Sequence, residues 1–323
     1  YSLVLPAESS REAAMVDGVT AYCLHALPEA VAFLRGECVI EPVQADHASL
    51  FSTRPQEDED YGDVRGQDQA KRALEIAAAG GHNVLMVGPP GSGKTMLAKR
   101  LPTILPLMEP DEAIETTRVH SVAAQLPPDR LLLTVRPFRS PHHSISDVGL
   151  IGGGTIPRPG EVSLAHNGIL FLDESPEFRR PVLDGLRQPL EEGAVTLTRV
   201  SGSLRYPAQF MLIAAMNPCP CGYYGDRSRE CLCTPQQIRR YRARLSGPLQ
   251  DRIDIHIEVP SVPVRELHDD GPTPEPSSSI RTRVLEARDR QARRYSRDGI
   301  HTNAQLKPRL LKRYCGLDRA GLE

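Results

Sequence analysis

Three short runs of unbroken apolar residues stand out along the chain: Val84-Leu85-Met86-Val87, Ile169-Leu170-Phe171-Leu172 and Met211-Leu212-Ile213-Ala214-Ala215. Runs this short, with no polar alternation, suit central strands of a parallel sheet covered on both faces. A fourth segment behaves differently. Ile253, Ile255, Ile257 and Val259 alternate with Asp254, His256 and Glu258, the period of a half-exposed strand. Between these runs the spacing becomes helical. Over Gln67–Ala79 the residues Ala70, Ala73, Leu74 and Ala77 share one helix face, with Gly80-Gly81 as the stop. Strands separated by helices predict an α/β fold with a parallel sheet between helical layers. Val195–Thr198 and Leu204–Tyr206, on either side of Ser201-Gly202-Ser203, predict a β-hairpin.

The pattern divides the chain. Residues 1–40 read as a short α/β segment, with a strand at Leu3–Leu5 and a helix over Glu29–Leu34 ending at Gly36. Residues 41–62, with the acidic run Glu57–Asp60, read as a solvated linker. The regular core runs over 63–260. Residues 261–279, rich in proline and closed by Ser277–Ser279, read as a second linker. An arginine-rich helix over Ile280–Tyr295 then opens a helical lid, 280–323. The 323 residues suit about two domains, and the formal net charge of -2 excludes a uniformly basic polyanion binder. No apolar run is long enough to span a membrane. The seven cysteines lack the spacing of a secreted disulfide framework, so a cytoplasmic location is expected. The start at Tyr1 and the end at Glu323 read as cuts in a longer chain.

The strongest chemical signal is Gly88-Pro89-Pro90-Gly91-Ser92-Gly93-Lys94-Thr95. Glycines let backbone N–H groups close around phosphate oxygens. Lys94 supplies a mobile cation to the β- and γ-phosphates, and the Thr95 hydroxyl suits Mg²⁺. The segment follows a predicted strand and opens a helix, so bound phosphate meets a helix N-terminus. The run Ile169–Leu172 ends in Asp173-Glu174. On a strand these carboxylates point to opposite sides, Asp173 toward Mg²⁺ and Glu174 toward an attacking water. Asn217, at the end of the next apolar run, is placed to bond a γ-phosphate or that water. Arg252 has two open readings: charge stabilisation on a transferring phosphoryl group, or a local salt bridge to Asp251 or Asp254.

Several of these segments carry a family signature. Arg136–His143, Gly152-Gly153-Gly154, Pro159–Gly168 running on to Asp173-Glu174, Asn217–Gly222 and Leu245–Leu249 together resemble the magnesium-chelatase-like AAA+ ATPases, of the YifB/ComM type. The resemblance covers most of the chain and is most specific over 63–260. It implies an ATP- and Mg²⁺-dependent ring, usually a hexamer, with Asn217 as first sensor and Arg252 as an arginine finger acting on the neighbour's ATP. Gln250 departs from the aliphatic residue expected there. Residues 1–40 resemble the end of a Lon-protease-like N-terminal domain. The resemblance further implies DNA work, branch migration of the kind used in natural transformation, with Arg199 and Arg205 of the hairpin as candidate phosphate contacts; an ordinary solvated hairpin is the alternative. A magnesium-chelatase motor and a Lon-like protease or chaperone ATPase are the rival functions.

Two C-x-C pairs, Cys219/Cys221 and Cys231/Cys233, offer four thiolates to a tetrahedral Zn²⁺; reduced buried thiols or a redox pair are the alternatives. His142-His143 lacks an acidic partner at helical spacing and reads as a loop or pore element. Arg239, Arg240, Arg242 and Arg244 form a basic stretch suited to subunit or DNA contact. Arg281, Arg283, Arg288, Arg290, Arg293 and Arg294, interleaved with acids, read mainly as a solvated helix face.

Overall fold

The structure, a computed structural model, describes residues 1–14, 18–43, 59–126, 132–199, 202–226, 229–263, 274–316 and 319–322. The chain divides into two units, 1–55 with 107–135, and 56–106 with 136–323. In the first unit, β1 (Ser2–Pro6) and β2 (Thr20–Leu24) pair in parallel, with α1 (Ala7–Ala14) as the crossover and α2 (Leu27–Leu34) following. This is the α/β segment expected there, its second helix starting two residues earlier than the apolar spacing suggested. The unit also contains the helix Pro110–Val122.

The second unit carries the site. Its elements are α3 (Asp68–Gly80), β3 (Val84–Val87), α4 (Lys94–Ile104), β4 (Phe138–Arg139), α5 (Asp147–Ile151), β5 (Gly152–Gly153), β6 (Arg158–Pro159), α6 (Glu161–Leu164), β7 (Ile169–Leu172), α7 (Arg180–Asp184), α8 (Arg187–Glu192), β8 (Ala194–Arg199), β9 (Gly202–Pro207), β10 (Met211–Met216), α9 (Pro235–Arg242), α10 (Gly247–Gln250), β11 (Ile255–Glu258) and α11 (Ser277–Tyr295). Five strands form one parallel sheet in the order β11-β3-β10-β7-β4. The three unbroken apolar runs are its three central strands, and the alternating segment is an edge.

Successive side chains explain why those runs show no alternation. Val84, Met86, Ile169, Phe171, Ile213 and Ala215 face a core closed by Leu74, Leu97, Leu101, Ile280 and Val284. Leu85, Leu170, Leu172, Leu212, Ala214 and Met216 face a second core with Val162, Val182, Leu183, Leu186 and Tyr241. Both faces are dry, so every position is apolar. The hairpin expected over 195–206 is present as β8 and β9, antiparallel, with Thr196 opposite Arg205.

The arginine-rich helix departs from the sequence reading. It begins at Ser277, three residues before Ile280, and half of its six arginines are not simply solvated. Arg281 donates to the Thr103 carbonyl at 2.9 Å, and Arg288 to the Ala78 carbonyl at 2.7 and 3.0 Å. Those carbonyls belong to the last turns of α4 and α3, which have no partner inside their own helices. Arg283 forks between Glu75 and Glu275, and it holds the Glu75 carboxyl below its usual range. Helix α11 is therefore bolted to the core through helix C-termini.

The acidic run is likewise only partly a linker; Glu57 and Asp58 lie outside the described residues. Asp60 caps the 3-10 turn Tyr61–Asp63 and accepts the backbone N–H of Ser277 at 3.0 Å. Tyr61 is fully buried; its hydroxyl donates to the Leu97 carbonyl at 3.2 Å and its N–H to Ser277 Oγ at 2.8 Å. Ser277→Ala would strand that buried N–H, a cost of about 1–3 kcal/mol. Urea denaturation is expected to show this loss, with Ser277→Thr retaining most of the stability; an unchanged midpoint in the alanine variant would remove Ser277 from the docking of α11.

Candidate nucleotide site

The chemistry-bearing residues follow the C-terminal ends of three adjacent strands, where parallel sheets place their ligands. The Gly88–Thr95 loop leaves β3, Asp173-Glu174 leaves β7, and Asn217 leaves β10, the strand between them. The loop is tightly specified. A Cβ at Gly88 would lie 2.0 Å from the Val259 carbonyl oxygen, and Gly91 and Gly93 have φ of +77° and +91°, values that glycine alone adopts freely. Gly93 caps α4, which opens with Lys94 and Thr95.

The side chains converge. Thr95 Oγ1 donates to Asp173 Oδ2 at 2.6 Å. Lys94 Nζ donates to the carbonyls of Gly88 (2.7 Å) and Pro89 (2.9 Å) and to Asn217 Oδ1 (3.4 Å). Burial lowers the Lys94 ammonium, while Asp173 and Glu174 pull it back up. Lysine, hydroxyl, carboxylate pair and amide thus share one locus, the arrangement required to hold a magnesium–triphosphate.

The acidic pair differs from the geometry expected of it. The strand stops at Leu172, and Glu174 has a left-handed φ of +49°. A turn, not strand alternation, separates the two carboxylates; the Glu174 N–H donates to Asp173 Oδ1 at 2.9 Å. His143, read as a loop or pore element, lies with Nδ1 3.7 Å from Glu174 Oε2 and stacks on His142 with ring centroids 4.0 Å apart. Glu174 is the acidic partner, 31 positions further along the chain, that helical spacing could not supply.

Arg252 has neither Asp251 nor Asp254 as its ion-pair partner. Its guanidinium pairs with Glu191 in the last turn of helix α8 and donates to the Pro248 carbonyl at 2.6 Å; Asp254 is taken by His82 at 2.9 Å. Gln250, the departure from the family pattern, uses its amide to bond the Leu245 carbonyl at 2.7 Å. Gln67 was missed. It holds a left-handed φ of +58° ahead of α3 and donates to the Ser92 carbonyl (3.1 Å) and the Pro260 carbonyl (2.6 Å), tying the loop to the end of the edge strand. Its only sequence signal was its place beside Gly66 at a helix start. In the first basic stretch, Arg244 pairs with Glu177 at 2.8 Å, and Arg240 and Arg244 join Arg180 along a cleft of about 490 Å³. Arg205 is exposed on β9; the side chain of Arg199 and the hairpin tip, 200–201, lie outside the described residues.

The four cysteines meet beside this locus. Their sulfur atoms all lie within 4.8 Å of one another, with Cys219 Sγ 3.3 Å from Cys221 and 3.6 Å from Cys231, and the thiols are free. Backbone N–H groups of Tyr224 and Cys233 point at Cys219 Sγ (3.3 Å) and Cys231 Sγ (3.4 Å). The Cys221 thiol is lowered to about 6, first by the backbone at Tyr223 and then by its neighbours. Soft, closely spaced sulfur ligands with N–H···S support are the donor set that zinc takes.

Fold and site define the class: a P-loop NTPase of the AAA+ type. Within that class the chain belongs to the family described as magnesium chelatase, subunit ChlI, whose model matches residues 60–267; the corresponding C-terminal family matches 274–323. The chain is 46% identical to protein YifB of Salmonella typhimurium over 98% of its own length and 60% of that protein. It is also 46% identical to competence protein ComM of Haemophilus influenzae, over 98% of this chain and 61% of the relative. The magnesium-chelatase 38 kDa subunit of Rhodobacter capsulatus is 27% identical over 71% and 69% of the two chains. A solved complex of the magnesium-chelatase subunits BchI and BchD aligns with a TM-score of 0.42 at 22% identity, covering 74% of this chain and 77% of that one. The chain therefore spans about three-fifths of the length of YifB and ComM. No helix among the described residues is long and apolar enough to cross a membrane.

Proposed function

We propose that the chain is the motor core of a ring that hydrolyses ATP and uses the energy to move DNA, in branch migration during uptake of transforming DNA. The observation that carries the ATPase reading is the 2.6 Å bond from Thr95 to Asp173. It brings to one point the hydroxyl and the carboxylate that would hold Mg²⁺, next to the lysine that would meet the phosphates. Held there, Mg²⁺ would supply charge neutralisation on the triphosphate. The residues Gly88–Thr95 cradle the triphosphate, Glu174 orients water, and Asn217 carries the amide that senses the terminal phosphate. Arg252 acts across the subunit boundary on the neighbouring copy's ATP, released from Glu191 when the ring closes.

The DNA reading is supported by the relationship to ComM, which is named for competence, and by the exposed hairpin β8–β9 carrying Arg205. ATP turnover is expected to rise when branched or single-stranded DNA is added to the full-length protein at low salt, and the rise to fall as salt screens phosphate contacts. Unchanged turnover, with no binding and no strand movement, would sink the DNA role and leave the ATPase standing.

The four cysteines support a second component, a structural Zn²⁺. The mutual approach of all four sulfurs within 4.8 Å favours it over scattered buried thiols, because a tetrahedral tetrathiolate needs that spacing and isolated thiols do not.

A further inference from the structure

The cysteine cluster lies where it bears on the nucleotide loop. Its first ligand, Cys219, is buried and stands two residues after Asn217, whose side chain accepts from Lys94. Only Pro218 separates them, and a proline fixes its own φ and restricts the residue before it, so the step transmits position with little slack. The Pro218 carbonyl is pinned from the other side by Arg242 Nε at 3.1 Å, while that guanidinium lies over the Tyr224 ring, 5.4 Å from its centroid. The two residues that follow Asn217 are therefore both anchored.

A second contact leads to the nucleotide loop itself. Cys221 is followed by Gly222, which has a φ of +90°. A Cβ there would fall 2.6 Å from Cδ and 2.7 Å from Cγ of Pro90, a proline in the middle of the phosphate cradle. Gly222 is thus pressed flat against the Pro90 ring. Few apolar groups hold this loop in place. Over 219–233 only Cys219 and Gly222 are buried among the described residues, and Tyr224 and Leu232 stand out in solvent. With so little burial, its conformation depends on the bond network among the sulfurs.

We propose that a metal held by Cys219, Cys221, Cys231 and Cys233 acts as a clamp on the nucleotide site, fixing Asn217 through Pro218 and the phosphate loop through the Gly222–Pro90 contact, so that metal occupancy sets ATP affinity. The proposal rests on the zinc reading and adds a consequence to it. Zinc with four thiolates is coordinatively closed and keeps no open position for chemistry. Its effect is positional: loss of metal frees the loop, and the amide and the cradle lose their register with Lys94.

The test separates the two readings. Full-length protein is assayed for bound metal by plasma mass spectrometry, and for affinity toward a fluorescent ATP analogue in excess Mg²⁺. One sample is stripped with a mercurial reagent and a chelator, then cleared of both. About one zinc per chain is expected in the untreated protein. Stripping is expected to weaken nucleotide binding by about tenfold or more, on the scale of a displaced binding group, with the far-ultraviolet circular dichroism retained and the affinity restored by added Zn²⁺. Gly222→Ala is expected to keep its zinc and still bind nucleotide several-fold more weakly, because the new methyl displaces Pro90. The Cys231→Ser, Cys233→Ser double variant is expected to lose both metal and affinity. Zinc present in the untreated protein together with unchanged affinity after its removal, or unchanged affinity in zinc-loaded Gly222→Ala, overturns the clamp and leaves the zinc reading intact. Protein that carries no zinc and takes none up overturns both.

Discussion

Lys94→Ala is expected to abolish nucleotide binding at concentrations that saturate the parent protein. Lys94 is 8% exposed, and its ammonium faces Asp173 and Glu174, which both raise its pKa against the pull of burial. Removing it leaves two carboxylates facing an incoming triphosphate with no fixed cation between them, at a point where water screens poorly. Loss of a single pre-placed donor from an anion-stabilising site costs about a hundredfold or more in turnover, and here the donor is charged. The same substitution also frees the carbonyls of Gly88 and Pro89, so the cradle loses a brace as well as a ligand. Lys94→Arg tests the difference between charge and fit: a guanidinium keeps the charge but not the point geometry, and it is expected to rescue little. Titration with a fluorescent ATP analogue and a phosphate-release assay would read both effects, with a thermal melt to show that the fold persists. Parent-like affinity in Lys94→Ala would remove the nucleotide from this locus, and the motor reading would go with it.

Physical reasons separate what the sequence made legible from what it did not. Val84–Val87, Ile169–Leu172 and Met211–Met216 were readable as central strands because a strand covered on both faces needs no polar residue. The phosphate loop was readable because its glycines answer local backbone demands. Asp173-Glu174 was readable in type and misread in geometry: Glu174 adopts a left-handed φ, and no residue pattern announces that in a non-glycine residue. Long-range polar pairing was invisible. Arg252 with Glu191, His143 with Glu174, and Arg281 and Arg288 with helix ends all join residues distant in the chain. A charge written on a helix face does not say whether it meets water or a carbonyl. The two C-x-C pairs were legible singly; only the turn at Gly222 and the loop after it bring the four sulfurs together.

Glu174→Gln is the second large effect, and it separates chemistry from binding. The glutamine side chain has nearly the same shape but no longer carries a carboxylate, so water is neither oriented nor polarised in the same way. The groups proposed to hold the triphosphate and Mg²⁺ are untouched: Lys94 with its four acceptors, and Thr95 with Asp173. Glu174 is also more than half exposed, and the ion-pair contact with His143 at 3.7 Å is long, so the substitution removes little that supports the fold. ATP binding is therefore expected to survive while turnover falls by about 10²–10⁴-fold, the span of a lost general base. If water activation is its role, Glu174→Gln should trap ATP-bound assemblies, visible by size-exclusion chromatography with light scattering in the presence of ATP. Normal turnover in this variant would show that another group orients the water. His143 is then the first residue to test, since its imidazole is the titratable side chain that the turn after β4 brings against the acidic pair.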